Sequence, residues 1–134
     1  MAISLEAQVT TAPTLDEILS HHGLQMRDVS RVCSQGIRYE ISIKIVSWKM
    51  IGRLLGIPEE TLAAIQVDNN TEDERRFVML HTWHKKQGSQ ATYFRLMTAL
   101  YRHRRCDLVE QLCGMIKSNS IASTRTQPES NESG

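Results

Sequence analysis

The sequence contains only three cysteines and three prolines in 134 residues. An odd number of cysteines at irregular spacing (Cys33, Cys106 and Cys113) is a poor disulfide framework and matches no structural zinc pattern. We therefore expect reduced thiols in an intracellular, cytoplasmic protein. No apolar run approaches the roughly 18 residues of a membrane span. Residues 1–6 lack the basic and apolar stretches of a signal peptide.

Neither sign of charge dominates, since Lys and Arg number 16 and Asp and Glu number 15. This balance argues against a protein that mainly coats nucleic acid or a membrane. Hydrophobic residues make up 40% of the chain, which is enough to build one core without a metal or a disulfide. We expect a folded domain over 14–117, a flexible N-terminus over 1–13 and a disordered tail over 118–134.

Helix signals recur throughout the expected domain. Helices are predicted after Thr14, near Asp28, at Trp48, after Pro58, after the capping pair Thr71 and Glu74, after Gly88 and Ser89, and near Asp107. Apolar residues at helical spacing follow these starts, and glycines end several of the segments. The sequence therefore predicts an all-α protein, with Trp48 and Trp83 as the largest side chains of its core.

One segment carries a different pattern. From Ile37 to Ile45 apolar and polar residues alternate strictly, which is typical of a β-strand. No second segment reads the same way, so such a strand would have no partner. We expect tertiary contacts to turn the segment into a helix or into an extended lead to Trp48.

The core positions from Trp48 to Leu112 follow one ordered pattern. It comprises Trp48-x-x-Ile51-Gly52-x-x-Leu55-Gly56-Ile57, Leu62-x-x-Ile65, Met79-Leu80-x-x-Trp83, Gly88-x-x-Ala91-Thr92, Leu96-x-x-Ala99-Leu100 and Asp107-Leu108-Val109-Glu110-x-Leu112. In this order and at this spacing the pattern resembles the death domain. The resemblance implies a six-helix antiparallel Greek-key bundle, the death fold, that makes homotypic protein–protein contacts.

The sequence departs from the family pattern upstream of Trp48. The resemblance places helix 1 shortly before Trp48, where the alternating segment lies, whereas helical signals at 15–22 and 28–33 come earlier. Which segment forms helix 1 is left open, as is an additional N-terminal helix.

Charged residues separate along the chain into two blocks. Every charged residue of the first is acidic: Glu59, Glu60, Asp68, Glu72, Asp73 and Glu74. Every charged residue of the second is basic: Arg75, Arg76, Lys85, Lys86, Arg95, Arg102, Arg104 and Arg105. Mixed surfaces are the norm, and a charge run is often only a solvated face, but two opposite blocks invite head-to-tail contact. We interpret these residues, other than Arg95, as candidate partner-binding surfaces.

Together the resemblance and the charge pattern predict a non-enzymatic adaptor that assembles signalling complexes, in apoptosis, innate immunity or another pathway. Its predicted partners are other death-domain proteins and copies of itself, with no cofactor and no small-molecule substrate. Two alternatives stay open: a decoy that blocks such assembly, and a nucleic-acid binder that uses Lys85, Lys86 and the cluster from Arg102 to Arg105.

Metal and catalytic sites have little support in the sequence. His81 and His84, and likewise His103 and Cys106, are three residues apart and could form a zinc site only if their helices faced each other. Cys106 lies beside Arg104 and Arg105 at a predicted helix start, surroundings that can activate a thiol. The sequence shows no nucleophile elbow and no glycine-rich phosphate loop, so we expect no enzyme activity.

Overall fold

The computed structural model describes residues 13–118, and every regular element in this range is helical. Its one β-type contact is an isolated antiparallel bridge between Val32 and Thr92. The all-α prediction is therefore confirmed. The predicted flexible N-terminus and disordered tail lie outside the described residues, apart from Pro13 and Ser118, and the domain bounds of 14–117 stay a prediction.

The described chain forms two short helices followed by six further ones. Helix α1 spans Leu15–His21, α2 Met26–Val29, α3 Gln35–Ser42, α4 Trp48–Leu54, α5 Glu59–Asp68, α6 Glu72–Gln87 and α7 Tyr93–Arg102. A 3₁₀ turn at Gly88–Gln90 joins α6 to α7, and α8 occupies residues 106–118. Helices α3 to α8 are the six helices that the resemblance implies.

Side-chain caps fix two of the predicted helix starts. The Thr14 hydroxyl accepts the Glu17 N–H at 3.2 Å, and the Glu17 carboxylate accepts the Thr14 N–H at 3.0 Å. At α6 the Thr71 hydroxyl accepts the Glu74 N–H at 3.1 Å. In a full capping box the Glu74 carboxylate would accept the N–H of Thr71. Here it accepts the Asn70 N–H instead. Both arrangements satisfy backbone donors that a helix start leaves free.

The start of α8 differs from the prediction. The helix begins at residue 106, and the N–H groups of Leu108 and Val109 donate to the Arg105 carbonyl at 3.0 and 3.1 Å. Asp107, the expected cap, already lies inside the helix. Its carboxylate accepts two hydrogen bonds from the Arg105 guanidinium, each of 3.0 Å.

The helical signal over 28–33 corresponds to a much shorter helix. Helix α2 ends at Val29, and the chain then runs beside the start of α7. The Cys33 N–H donates to the Ala91 carbonyl at 2.9 Å, and the Tyr93 N–H donates to the Arg31 carbonyl at 3.1 Å. These bonds join residues about sixty positions apart, which explains why the local pattern did not reveal them.

The alternating segment is helical. Helix α3 covers most of it and begins at Ser34, whose hydroxyl accepts the Ile37 N–H at 3.3 Å. Ile37, Ile41 and Ile45 are buried, while Tyr39 and Ile43 are exposed. Packing of α3 against α6 thus overrides the strand pattern. The helical alternative is confirmed and the extended one is wrong.

Helix α6 lies at the centre of the bundle, where it packs against α3, α4 and α5. Trp83 on α6 and Trp48 on α4 are both buried, as predicted. Gly52 allows α4 to approach closely, because a Cβ atom there would lie 2.7 Å from Leu62 Cδ2 and 3.3 Å from Met79 Cγ. The two tryptophans are therefore core residues and not part of a binding surface.

The N-terminal segment, residues 13–34, adds α1 and α2 to the six-helix bundle. Both helices pack against α7, and they bury Ile18, Leu19 and Val29. The question of helix 1 is thereby answered: α3 takes the place before Trp48, and the additional N-terminal helix of the open alternative is present as this pair. None of the described helices combines the length and the apolar character needed to cross a membrane.

Candidate protein-interaction surfaces

The predicted acidic residues lie at the ends of two helices. Glu59 and Glu60 occupy the first turn of α5 and Asp68 is its last residue. Glu72, Asp73 and Glu74 form the first turn of α6, four to six residues after Asp68. Carboxylates stabilise a helix start through the backbone dipole, so the five at the starts of α5 and α6 have a structural role whether or not they bind a partner, whereas Asp68 at the end of α5 gains nothing from the dipole.

Three arginines neutralise part of this acidic block within the chain. Arg53 at the end of α4 forms a bidentate ion pair with Glu59. Its hydrogen bonds to the Glu59 carboxyl hold the pKa of that group below its usual value. Arg76 bonds Asp73 at 2.9 Å and Arg75 lies 3.6 Å from Glu72. Among the described residues, Glu60, Asp68 and Glu74 enter no ion pair, and they carry the uncompensated acidic charge.

Arg75 serves mainly as a structural residue. Its Nε donates to the Asn69 carbonyl at 3.0 Å and to the Gln66 carbonyl at 3.2 Å, and so joins the end of α5 to the start of α6. The structure therefore places Arg75, and Arg76 beside it, with the acidic residues and apart from the rest of the basic block.

The remaining basic residues form two groups. Lys85 and Lys86 are exposed in the last turn of α6, and Arg95 is exposed in the first turn of α7 just beyond the 3₁₀ turn. Lys85 lies eleven positions from Glu74 on the same helix, about 17 Å along its axis. On α6 itself, the uncompensated acidic charge of Glu74 and the basic charges of Lys85 and Lys86 thus occupy opposite ends.

The second basic group lies at the far end of α7. Arg102 is the last residue of that helix, and Arg104 and Arg105 follow in the link to α8. Arg105 pairs with Asp107 at 3.0 Å, while Arg104 is exposed and adopts a left-handed backbone with φ of 62°. A side chain other than glycine is strained there by about 1 kcal/mol, so Arg104 is held at a local cost to stability.

The structure exposes apolar residues that the sequence analysis did not select. Tyr39 is 57% exposed, Ile43 49% and Val46 65%, and Met50 is exposed beside them. We call these four residues the apolar strip; they lie on α3, the α3–α4 link and α4. The strand-like alternation over 37–45 was the one sequence signal that could have indicated it.

The proposed zinc ligands lie in separate places. His81 and His84 are on α6, whereas His103 lies in the link between α7 and α8 and Cys106 is the first residue of α8. Within residues 13–118 no three His, Cys, Asp or Glu side chains come together as metal ligands. Burial raises the pKa of the Cys33 thiol to about 12 and that of Cys113 to about 11, so both thiols stay protonated and unreactive at neutral pH.

A buried cation lies between the N-terminal segment and α6. Arg38, only 4% exposed, donates from Nη1 to the Cys33 carbonyl at 2.7 Å. Its Nε has no hydrogen-bond partner within the described residues. Burial, together with Arg38 and His81, lowers the pKa of His84. The neutral form of His84 is therefore the one that the fold accommodates.

Acidification from about pH 7.5 to about pH 5.5 is expected to lower the free energy of unfolding through His84. The pKa of His84 is lower in the folded than in the unfolded state. The stabilisation that neutral His84 gives the folded state is therefore fully present above the unfolded-state pKa of about 6.5. This stabilisation is lost as the pH falls through the folded-state pKa of His84, because the imidazole must then take up a proton beside the positively charged Arg38. Urea denaturation at both pH values measures the effect.

The His84→Gln variant should lose part of this pH dependence. His21→Gln, at the exposed end of α1, is the matched control and should keep it. An unchanged pH dependence in His84→Gln would show that other groups are responsible.

The described residues form an all-helical bundle whose unpaired charged residues lie mainly at helix ends. The family model for the death domain matches residues 42–116, which is more than half of the chain. The chain therefore belongs to the death-domain family, whose members are interaction modules of signalling and generally not enzymes. No curated protein and no solved structure matches it. The match begins at the last residue of α3, so α1 and α2 lie outside it.

Proposed function

We propose that this chain is a cytoplasmic adaptor that assembles signalling complexes by homotypic contact with other death-domain proteins and with copies of itself. The observation that supports this most directly is the separation of charge along α6. Glu74, six residues after Asp68, lies at one end of this helix, and Lys85 and Lys86 lie about 17 Å away at the other. Membership of the death-domain family supports the same function.

Charges separated in this way favour a head-to-tail arrangement. The acidic end of one copy faces the basic end of the next, and a contact between two different surfaces can repeat into a ring or an open stack. Complementary potentials also accelerate encounter and disfavour wrong partners, and both effects weaken as salt rises. Assembly of this protein is therefore expected to be strongest at low ionic strength.

Reversing the basic end tests the proposal. Lys85→Glu combined with Lys86→Glu should weaken self-association or partner binding about tenfold or more at low salt. Size-exclusion chromatography with light scattering across a salt series measures the association.

Arg27→Glu is the matched control. It also reverses an exposed cation in the last turn of a helix, but on α2 and outside both charged ends. Circular dichroism should report the same helical signal for every variant. Undiminished binding by the Lys85→Glu, Lys86→Glu variant would show that this end of α6 is not a contact surface.

A further inference from the structure

The turn that joins α6 to α7 exposes a serine shortly after two lysines. Ser89 lies in the 3₁₀ turn Gly88–Gln90, and all three residues of this turn are exposed. Lys85 and Lys86, four and three positions before Ser89, are exposed as well and enter no ion pair within residues 13–118. A hydroxyl three positions after a basic residue is the acceptor pattern that protein kinases with an acidic peptide cleft select.

The same spacing occurs elsewhere in the chain, and the structure separates the candidates. The described hydroxyl residues that lie three positions after a lysine or an arginine are Ser30, Ser34, Ser47, Ser89 and Thr98. The hydroxyls of Ser30 and Thr98 each donate to the carbonyl four positions earlier, at 2.8 Å. The Ser34 hydroxyl caps α3 and is only half-exposed. These three hydroxyls are therefore engaged within the fold.

The neighbours of the other two serines decide between them. Ser47 lies between the buried residues Ile45 and Trp48, so a kinase could take up this segment only by opening the core. Residues 85–90 are exposed except for one half-buried glutamine, and the next core residue is Ala91. A kinase binds its substrate as an extended segment, and the last turn of a helix opens at low cost. Ser89 is therefore the accessible acceptor among the five.

We propose that Ser89 is a phosphorylation site for a kinase that selects basic residues before the acceptor, and that the phosphate switches off the contact made by Lys85 and Lys86. In the transfer, Ser89 Oγ bonds the γ-phosphorus of ATP and the bond from that phosphorus to the departing ADP breaks. The hydroxyl proton passes to the catalytic carboxylate of the kinase. The switch rests on the proposed function, whereas the modification itself does not.

A phosphate on Ser89 lies among the free cations of this end of α6. Arg95 donates from Nη2 to the Gln90 side-chain oxygen at 3.2 Å, which places a third cation beside the turn. Phosphoserine carries about −1.5 to −2 charges at neutral pH and three acceptor oxygens that pair with lysine and arginine. It therefore offsets most of the positive charge of Lys85, Lys86 and Arg95. The acidic end of the next copy then loses its counterpart.

Phosphorylation of the full chain tests the site. The chain is incubated with Mg·ATP and either cyclic-AMP-dependent protein kinase or protein kinase C, and mass spectrometry identifies the modified residue. Ser89 should take up phosphate, and Lys85→Gln combined with Lys86→Gln should slow the reaction about tenfold or more, because the basic recognition residues are gone. Ser30→Ala is the matched control. It removes another exposed hydroxyl that follows a basic residue and should leave the uptake at Ser89 unchanged.

Association of the phosphorylated chain tests the switch. Size-exclusion chromatography with light scattering at low salt should show association weakened about tenfold or more, and phosphatase treatment should restore it. Ser89→Ala treated with the same kinase should associate like the unchanged chain, which assigns the effect to the phosphate on Ser89. Circular dichroism should report the same helical signal before and after phosphorylation.

The two parts of the inference fail separately. Uptake at Ser30 or Ser47 in preference to Ser89, or no uptake with either kinase, would overturn the site. A phosphorylated chain that associates as before, while the Lys85→Glu, Lys86→Glu variant does not, would overturn the switch and leave the proposed function standing. If that variant also associates normally, or if the unchanged chain stays monomeric at every salt concentration, the proposed contact is wrong and the switch falls with it. The mass measurement still decides whether Ser89 is the site.

Discussion

A chain that begins at Ser34 is expected to lose roughly 3–6 kcal/mol of folding free energy, a large part of the stability of a domain this size. The deletion removes Ile18, Leu19, Val29 and Cys33, which are all buried. Each apolar side chain contributes about 1.5–3 kcal/mol when fully buried, and the ordering entropy of the segment offsets part of the sum. The face of α7 that these residues cover becomes exposed. Urea denaturation followed by circular dichroism measures the loss.

A chain that begins at Pro13 is the matched control. It keeps every described residue, including the bond from the Tyr101 hydroxyl to the Pro13 carbonyl at 2.9 Å. Equal urea midpoints for the two chains would show that the N-terminal segment is dispensable for folding. The expected difference also means that a fragment cut to the matched residues 42–116 is a poor substitute for the whole domain.

Trp83→Ala is expected to cost about 3–5 kcal/mol. Trp83 lies on the central helix, and its indole lines a crevice with Leu54 and Leu55 on one side and Phe94 and Ala99 on the other. Removing it leaves a cavity that four neighbours from two helices cannot fill without moving. Far-ultraviolet circular dichroism in urea measures the change without relying on the fluorescence of the deleted residue.

Trp83→Phe provides the comparison, since it keeps an aromatic ring in the same place. Its cost should be clearly smaller than that of alanine. Equal losses of unfolding free energy in the two variants would mean that stability does not depend on the volume that the side chain at position 83 fills.

Local signals were sufficient for most of the fold. The start of α6 follows from Thr71, whose hydroxyl accepts the Glu74 N–H. The helix predicted after Gly88 and Ser89 begins only at Tyr93, where the Thr92 hydroxyl accepts the Arg95 N–H. The segment after Val29 could not be predicted in this way, because its backbone partners are Ala91 and Tyr93. A helical pattern of four residues gives no information about a contact formed with the other half of the chain.

The candidate surfaces were only partly visible in the sequence. The charge segregation is visible in the sequence, but it gives no information about which carboxylates are already paired. Arg53 reaches Glu59 across a loop, and Arg75 turns back to α5, so both pairings depend on the tertiary fold. The apolar strip was missed because an alternating pattern identifies no exposed face until the segment is known to be a helix.

Helix α3 also affects what happens when the protein unfolds. When α3 unfolds, residues 37–46 expose five β-branched residues and a tyrosine. Nearly all of them follow the apolar–polar alternation of β-strands that pair between chains in aggregates. Arg38, Glu40 and Lys44 are the only charges that oppose such stacking. Variants that loosen the bundle should therefore aggregate into β-rich, thioflavin-binding material instead of remaining as soluble unfolded chains. The docking of α3 onto α6 thus keeps an aggregation-prone segment of the chain in a helical form.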